Sequence, residues 1–286
     1  PNIPSLSHVM VTEIGDMMPP LKRSVVNFAV KYIKKMVPKY HLPSAVMFND
    51  LMAHAKNLNF HPVVVSSQDT AFLQYTGGTT GVAKGAVLSH RNMISNILQC
   101  AAWVQAVVDK EDVVVTALPM YHIFSLSVCC LTFVFLGAHC LLITNPRHMK
   151  SFLKILKNTK ISVFIGLNTL FNGLMQQESF KEVDFSNLKL TISGGMALQR
   201  VVAERWHEVT GCHITEGYGL TEASPVVTIN PINNTHFTGT IGLPVPSTQV
   251  AIRDDKGNDL KLGDVGELCV HGPQVMADYW QRPDET

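Results

Sequence analysis

From residue 70 to residue 216 the chain alternates between short, nearly continuous apolar runs and longer stretches whose apolar positions recur every three or four residues. The first kind suits strands buried on both faces, the second helices packed on one side. "TAFLQYT" (70–76) and "GAVLSH" (85–90) read as strands flanking a glycine loop, and a helix follows from Arg91 to Val104. Strands at 113–118, 139–144, 161–166, 189–193 and 212–216 then alternate with helices near 124–136, 147–157, 168–176 and 197–210. Strands separated by helical lengths imply right-handed crossovers, so the expected class is α/β with mainly parallel sheets covered by helices. After Pro231 the texture changes. "TQVAIRDDKGNDLKLGDVGELCVHG" (248–272) sets strand runs around Gly-containing turns, which predicts a small antiparallel β subdomain over 232–286 beside the larger portion 1–231.

Near the start, "KRSVVNFAVKYIKKM" (22–36) carries Val25, Val26, Phe28, Ala29, Ile33 and Met36 at near-helical spacing among Lys22, Arg23, Lys31, Lys34 and Lys35. No acid occurs between Asp16 and Asp50. A solvated face on a docked helix is the expectation, with an anionic membrane surface as the alternative. From Val113 to Pro146 there is no Asp, Glu, Lys or Arg, and "IFSLSVCCLTFVFLGAHCLLI" (123–143) approaches the roughly 20 residues needed to span a bilayer. Gly137, His139 and the flanking strand patterns favour a buried strand–helix–strand unit instead.

Composition narrows the picture only a little. With 23 Lys+Arg against 22 Asp+Glu there is no global electrostatic case for nucleic acid. The six cysteines show neither CxxC nor zinc-finger spacing, which argues against a disulfide framework or structural metal and for a reducing, cytoplasmic compartment. The chain begins at Pro1 and stops at "YWQRPDET", which suggests a piece of a longer protein.

The candidate chemistry gathers in glycine turns. "YTGGTTGVAKGA" (75–86) offers bare backbone amides, threonine hydroxyls and the single cation Lys84, for which a polyphosphate is the natural guest. By composition alone a flexible hairpin accounts for it equally well. It is not a Walker loop, since Lys84 follows Ala83 and precedes Gly85, and no GxGxxG is present. "GYGLTEASP" (217–225) places Tyr218, Thr221 and Glu222 just beyond a strand, where open α/β sheets bind ligands. "TISGG" (191–195) is another strand running into a glycine turn before a helix, a place that attracts anions. His122, in "PMYHIF", stands alone in an uncharged context that also suits a core histidine. Neither HExxH nor GxSxG occurs.

Taken together, "YTGGTTGVAKGAVLSHRN", "LPMYHIF", "SGGM", "GYGLTEASPVV" and "GELCVHGPQVMADYWQRPDET" resemble, in order and spacing, the core motifs of adenylate-forming enzymes. That superfamily holds acyl-CoA synthetases, firefly-type luciferases and peptide-synthetase adenylation domains. The likeness runs in particular to bacterial long-chain fatty-acid–CoA ligases and covers nearly the whole chain. The resemblance implies that a fatty-acid carboxylate attacks the α-phosphate of ATP, pyrophosphate leaves, and the acyl-adenylate passes to the thiol of coenzyme A. It implies that Thr76, Gly77, Gly78, Thr79, Thr80, Gly81 and Lys84 cradle the β and γ phosphates. Tyr218 would lie on the adenine, Thr221 would bond the α-phosphate, and Glu222 would hold Mg²⁺. Gly194, Gly195, Glu216, Gly217 and Gly219 would border the nucleotide, and His122 would sit near the acyl carboxylate. An acyl tunnel would pass Asn168, Thr169 and Phe171 toward the 123–143 segment. Lys84, His122, Thr221 and Glu222 are the expected catalytic set.

Such enzymes also carry, further along, an Asp for the ribose, a hinge and a C-terminal domain with the adenylation Lys. None of these is among the 286 residues, so the piece is expected to bind nucleotide without completing thioester formation. The remaining expectations are no nucleic-acid partner, with peripheral contact at the inner membrane face and a homodimer left open. A ligase for shorter or aromatic acids, or a non-catalytic lipid- and ATP-binding scaffold, are the alternative readings.

Overall fold

The computed structural model describes residues 6–76 and 83–286, which fall into two compact units divided between Val64 and Val65. In the first unit β1 (Val9–Val11) pairs in parallel with β2 (Ala45–Met47). Between them runs α1 (Pro20–Phe28), continued by a π-helical turn over Ala29–Ile33, and after β2 comes α2 (Phe48–Ala55). Pro20 suits the first turn of α1, where its missing N–H costs no helical bond. The expected amphipathic helix is therefore present, starting and ending slightly earlier than its pattern suggests. None of its residues is fully buried.

The second unit opens with the antiparallel ribbon β3 (Thr70–Thr76) and β4 (Lys84–Ser89), followed by α3 (His90–Val104). A capping box starts α3: the Ser89 hydroxyl accepts from Asn92 N at 3.2 Å while Asn92 Oδ1 accepts from Ser89 N at 2.9 Å. Next come β5 (Val113–Thr116), a π-helical segment Ser125–Leu131 running into α4 (Thr132–Phe135), and β6 (His139–Leu142). The long uncharged run thus folds as strand, helix and strand, and among the described residues no helix is long and apolar enough to cross a membrane. Then follow α5 (Met149–Lys157), β7 (Val163–Gly166), α6 (Asn168–Met175), β8 (Leu190–Ser193), α7 (Arg200–Thr210) and β9 (Ile214–Gly219). The unit closes with β10 (Val226–Ile229), β11 (Leu243–Pro244), β12 (Gln249–Arg253) and β13 (Glu267–His271).

The large sheet has the order β11-β10-β9-β8-β7-β5-β6. Its five strands from β6 to β9 are parallel, and β10 and β11 add antiparallel edges. The expected small β region is therefore divided. Strands β12 and β13 make a separate antiparallel ribbon, whereas β11 joins the main sheet. Strand β9 runs on to Gly219, past the expected end at 216, because β10 supplies hydrogen-bonding partners for Gly217–Gly219.

Aromatic packing fills the α6/α7 side of the sheet. Trp206, fully buried, meets Phe171 at 4.8 Å, Phe164 at 5.2 Å and Phe180 at 5.5 Å between ring centroids. Its indole N–H donates to Thr191 Oγ1 at 3.2 Å, so the ring buries no orphan donor. Helix α7 stops at Gly211, whose φ of 73° takes the left-handed cap that glycine adopts without strain. Just beyond, His213 stacks on His207 with centroids 3.6 Å apart.

On the opposite face α3 is tied to the sheet by amides. Fully buried Asn96 accepts from Val226 N at 3.0 Å and donates to Val226 O and Gln99 Oε1, each at 2.9 Å. Gln99 Nε2 reaches Pro246 O at 2.7 Å, and buried Gln274 donates to Thr248 Oγ1 at 2.7 Å and to Val226 O at 3.3 Å.

Two stability predictions follow from these contacts. Asn96→Ala removes the acceptor of Val226 N and leaves Val226 O with Gln274 alone, and should cost about 2–4 kcal/mol in urea unfolding; a loss below about 0.5 kcal/mol would show the bonds to be dispensable. Burial, then the imidazoles of His207 and His236, holds His213 below the usual imidazole range. The folded state therefore favours the neutral ring: its contribution is complete above the ordinary value of 6.5 and is lost as pH falls through the depressed one. The urea midpoint should fall between pH 7.5 and pH 5, less so in His213→Gln; equal acid sensitivity in both would count against it.

Candidate active site

A parallel sheet buried on both faces leaves its strand ends as the place for a ligand. A cavity of about 390 Å³ opens there. One wall is the ends of β8 and β9 with the turns that follow them, Ser193–Gly195 and Gly217–Glu222, and another is the end of β3, Gln74–Thr76. His122 and Phe124 stand at the third side, and an apolar arm runs inward past Cys100, Val104, Val128 and Phe133.

The glycines in these walls are set by close approach. A Cβ on Gly219 would lie 2.2 Å from Pro225 O, and one on Gly194 would lie 3.0 Å from the Phe124 ring. Gly195 has a φ of 76°, which side-chain-bearing residues rarely adopt. Ser193, whose buried hydroxyl has no partner among the described residues, lines the same wall. A bare polar turn with an unanswered hydroxyl beside an apolar arm suits a ligand with a polar head and an apolar tail.

The sequence-predicted residues fall into three groups. Thr76, His122, Gly194, Gly195, Gly217, Tyr218, Gly219, Thr221 and Glu222 all line the cavity. Thr76 Oγ1 is 3.4 Å from Lys84 O, and His122 Nδ1 accepts from Phe124 N at 3.2 Å, so its Nε2 is left for other partners. Lys84 and Glu216 sit outside the lining. Lys84 Nζ is 2.7 Å from Glu285 and lies over the Tyr279 ring at 5.0 Å. Glu216 accepts from Leu198 N at 3.4 Å, and burial pushes its carboxyl above the ordinary range. Gly77, Gly78, Thr79, Thr80 and Gly81 lie outside the described residues.

Asn168, Thr169 and Phe171, expected along an acyl path, do not line the cavity. Phe171 is fully buried against Trp206 and Phe164 and does not reach the cavity. Asn168 Oδ1 accepts from Gln199 N at 3.0 Å, joining α6 to the start of α7, and Thr169 is exposed. The apolar arm lies instead between α3 and the sheet, because helical periodicity turns Phe171 inward while Cys100 and Val104 on α3 face the opening. Sequence reasoning missed those two, since apolar residues on a buried helix face read alike whether they line a core or a cavity; Val128 and Phe133 lie in the 123–143 segment toward which the path was expected to run. Burial pushes the Cys100 thiol up to about 12, so it remains neutral and behaves as an apolar wall.

Glu222 is the one carboxylate lining the cavity among the described residues, and its Oε1 accepts from the Tyr279 hydroxyl at 2.5 Å. Burial and that carboxylate push the Tyr279 phenol up to about 12. Tyr279 and Glu285 belong to the terminal segment, for which the sequence suggested no role at the site. No group of three His, Cys, Asp or Glu able to hold a metal ion occurs among the described residues.

A family model described as AMP-binding enzyme matches residues 5–280, and the chain belongs to that family. It is 54% identical over 280 residues to a long-chain-fatty-acid–CoA ligase of Yersinia pestis, covering 98% of this chain and 50% of that protein. A protein of the same description from Haemophilus influenzae is 51% identical over 286 residues, covering 99% and 51%. The chain thus spans about half the length of the curated relatives it matches. Among solved structures, apo MatB from Rhodopseudomonas palustris superposes with a TM-score of 0.74 at 27% identity, covering 97% of this chain and 53% of that one. The ATP-bound form of the same protein gives 0.73 with the same identity and coverage. The α/β class expected from the strand and helix pattern is the class these neighbours share.

The tight approach at Gly219 yields a direct test. Gly219→Ala forces the backbone away from Pro225 and breaks the Leu220 N to Pro225 O bond of 2.9 Å. It should cost about 1–3 kcal/mol and speed amide exchange at Leu220. An unchanged exchange rate would refute the contact.

Proposed function

We propose that the chain is the ATP- and acyl-binding portion of a long-chain fatty-acid–CoA ligase. The whole protein would join a fatty acid to ATP as an acyl-adenylate, release pyrophosphate, and pass the acyl group to coenzyme A. One observation carries this reading: the cavity joins a glycine-turn wall at the strand ends to an apolar arm, which suits a nucleotide and an acyl chain meeting at their reactive ends. The names of the relatives support it.

The first step brings a carboxylate toward a phosphate, so the protein's task is to position two anions and offset their charge. In this reading the backbone amides around Gly194, Gly195 and Gly217–Gly219 approach the nucleotide, and the exposed face of Tyr218 offers a platform for the adenine. Thr221 donates its hydroxyl to the α-phosphate, and the Nε2 edge of His122 faces the incoming carboxylate. The side chains of Val104, Val128 and Phe133 hold the acyl chain and exclude water from it. Lys84 supplies a cation to the outer phosphates. Glu222 fits Mg²⁺, an ion held through one or two carboxylates together with phosphate oxygens. The bound ion supplies charge neutralisation on the phosphates.

Six unpaired cysteines suit a reducing compartment, and we place the work in the cytoplasm. The exposed side chains of Val25, Phe28, Ile33 and Met36 beside basic residues support contact of the first unit with the inner membrane face.

The test is fatty-acid-dependent exchange of labelled pyrophosphate into ATP by the full-length protein, with laurate, palmitate and benzoate compared. Exchange should favour the long acids and fall about 100-fold or more in Glu222→Ala, in line with the loss of a charge-stabilising group. Exchange with benzoate alone would move the assignment to aromatic acids, and none with any acid in a protein that binds ATP would leave a scaffold.

A further inference from the structure

One phenol stands between the two charged side chains assigned above to the nucleotide phosphates. Main-chain pairing places it there. Tyr279 forms an antiparallel bridge with Ala86, Val87 N donates to Asp278 O at 3.0 Å, and Trp280 N donates to Gly85 O at 2.7 Å. Residues 278–280 thereby extend the β3–β4 ribbon beside Lys84. From that position the Tyr279 hydroxyl donates to Glu222 Oε1 at 2.5 Å, and the ring lies 5.0 Å from Lys84 Nζ. The same segment holds the Glu222 backbone, since Met276 N donates to Glu222 O at 2.8 Å.

The two contacts differ in kind. A phenol donating to a carboxylate is a charge-assisted bond that fixes the rotation of the carboxyl group while Oε2 keeps its acceptor positions. The ring attracts the ammonium without using its three N–H donors. Glu285, whose carboxyl Lys84 holds below its ordinary range, takes one of those donors at 2.7 Å. That oxygen sits where an anionic oxygen of a ligand would compete for the same cation.

We propose that Tyr279 is a positioning residue of the nucleotide site, its hydroxyl orienting Glu222 toward the metal-bound phosphates and its ring holding Lys84. The proposal rests on the ligase reading above. It makes the terminal segment 276–280 part of the apparatus that sets both charges, and it separates two functions of one side chain that substitution can divide. Phenylalanine keeps the ring and loses the hydroxyl, whereas leucine loses both.

The experiment uses the full-length ligase with Tyr279→Phe and Tyr279→Leu. Mn²⁺ binding to the enzyme–ATP complex is read by electron paramagnetic resonance, ATP binding without metal by calorimetry, and pyrophosphate exchange as a function of Mg²⁺. Tyr279→Phe should weaken Mn²⁺ binding and raise the Mg²⁺ requirement by about 10-fold, the usual effect of losing a partner that orients a ligating carboxylate. Its metal-free ATP affinity and unfolding midpoint should match the wild type. Tyr279→Leu should lose ATP affinity several-fold as well, so that phenylalanine rescues that part alone. Wild-type Mn²⁺ binding in Tyr279→Phe would overturn the role of the hydroxyl, and equal ATP affinity in the two variants would overturn that of the ring. A fall in the unfolding midpoint of Tyr279→Phe matching its binding loss would make the residue merely structural. Absence of exchange in the wild type would sink the ligase reading itself, while the Mn²⁺ measurement would still decide whether Tyr279 orients Glu222.

Discussion

The arrangement of the second unit depends on one buried amide. Asn96 sits on α3, and both of its polar ends meet the backbone of Val226. A strand that joins a parallel sheet in the opposite direction has backbone groups at its start that the turn before it cannot satisfy. Asn96 answers those of Val226 from outside the sheet, at the first residue of β10. With β10 in place, β9 can run on through Gly219, and the turn carrying Thr221 and Glu222 is held above the sheet rather than along it. Gln99 and Gln274 continue the same network to Thr248 and Pro246, so the helix, the sheet edge and the terminal region share one set of hydrogen bonds. Buried networks of this kind are stabilising only when fully answered, which is why these amides are paired at nearly every position.

The cavity is a consequence of that geometry. Its polar wall is made where strands end and glycines allow backbones to pass within contact distance of Pro225 and Phe124. Its apolar arm lies where α3 does not close completely over the sheet. The aromatic cluster around Trp206 fills the other face, where Phe171 of α6 and Trp206 of α7 are fully buried against each other. Two faces of one sheet thus serve different ends: one is core, and the other is core with an opening.

Much of this was legible in the chain. The alternation from Val113 to Glu216 marked the parallel strands and their helices, because a strand buried on both faces has to be apolar throughout. The glycines at 194–195 and 217–219 were legible as bare backbone at strand ends, and they line the cavity. The β10 and β11 additions were less so. "VVTI" is short and apolar in the same manner as its parallel neighbours, and direction leaves no mark on composition. Phe171 and Cys100 show the same limit: each occupies an apolar helix position, and which of them faces a cavity depends on how the helix is rotated against the sheet.

The sequence by itself determined the class of fold, the order of its elements and the residue types able to meet phosphates. Those follow from local periodicity and from the backbone freedom of glycine, both properties of neighbouring residues. Only the tertiary structure decided that Lys84, Glu222 and Tyr279 come together. They are far apart in the chain, and their meeting rests on main-chain bonds between β4 and residues 278–280 and on the turn held by Pro225 and Val226. No periodicity encodes such a contact, because each partner's side chain is ordinary until the backbone has brought it to the others.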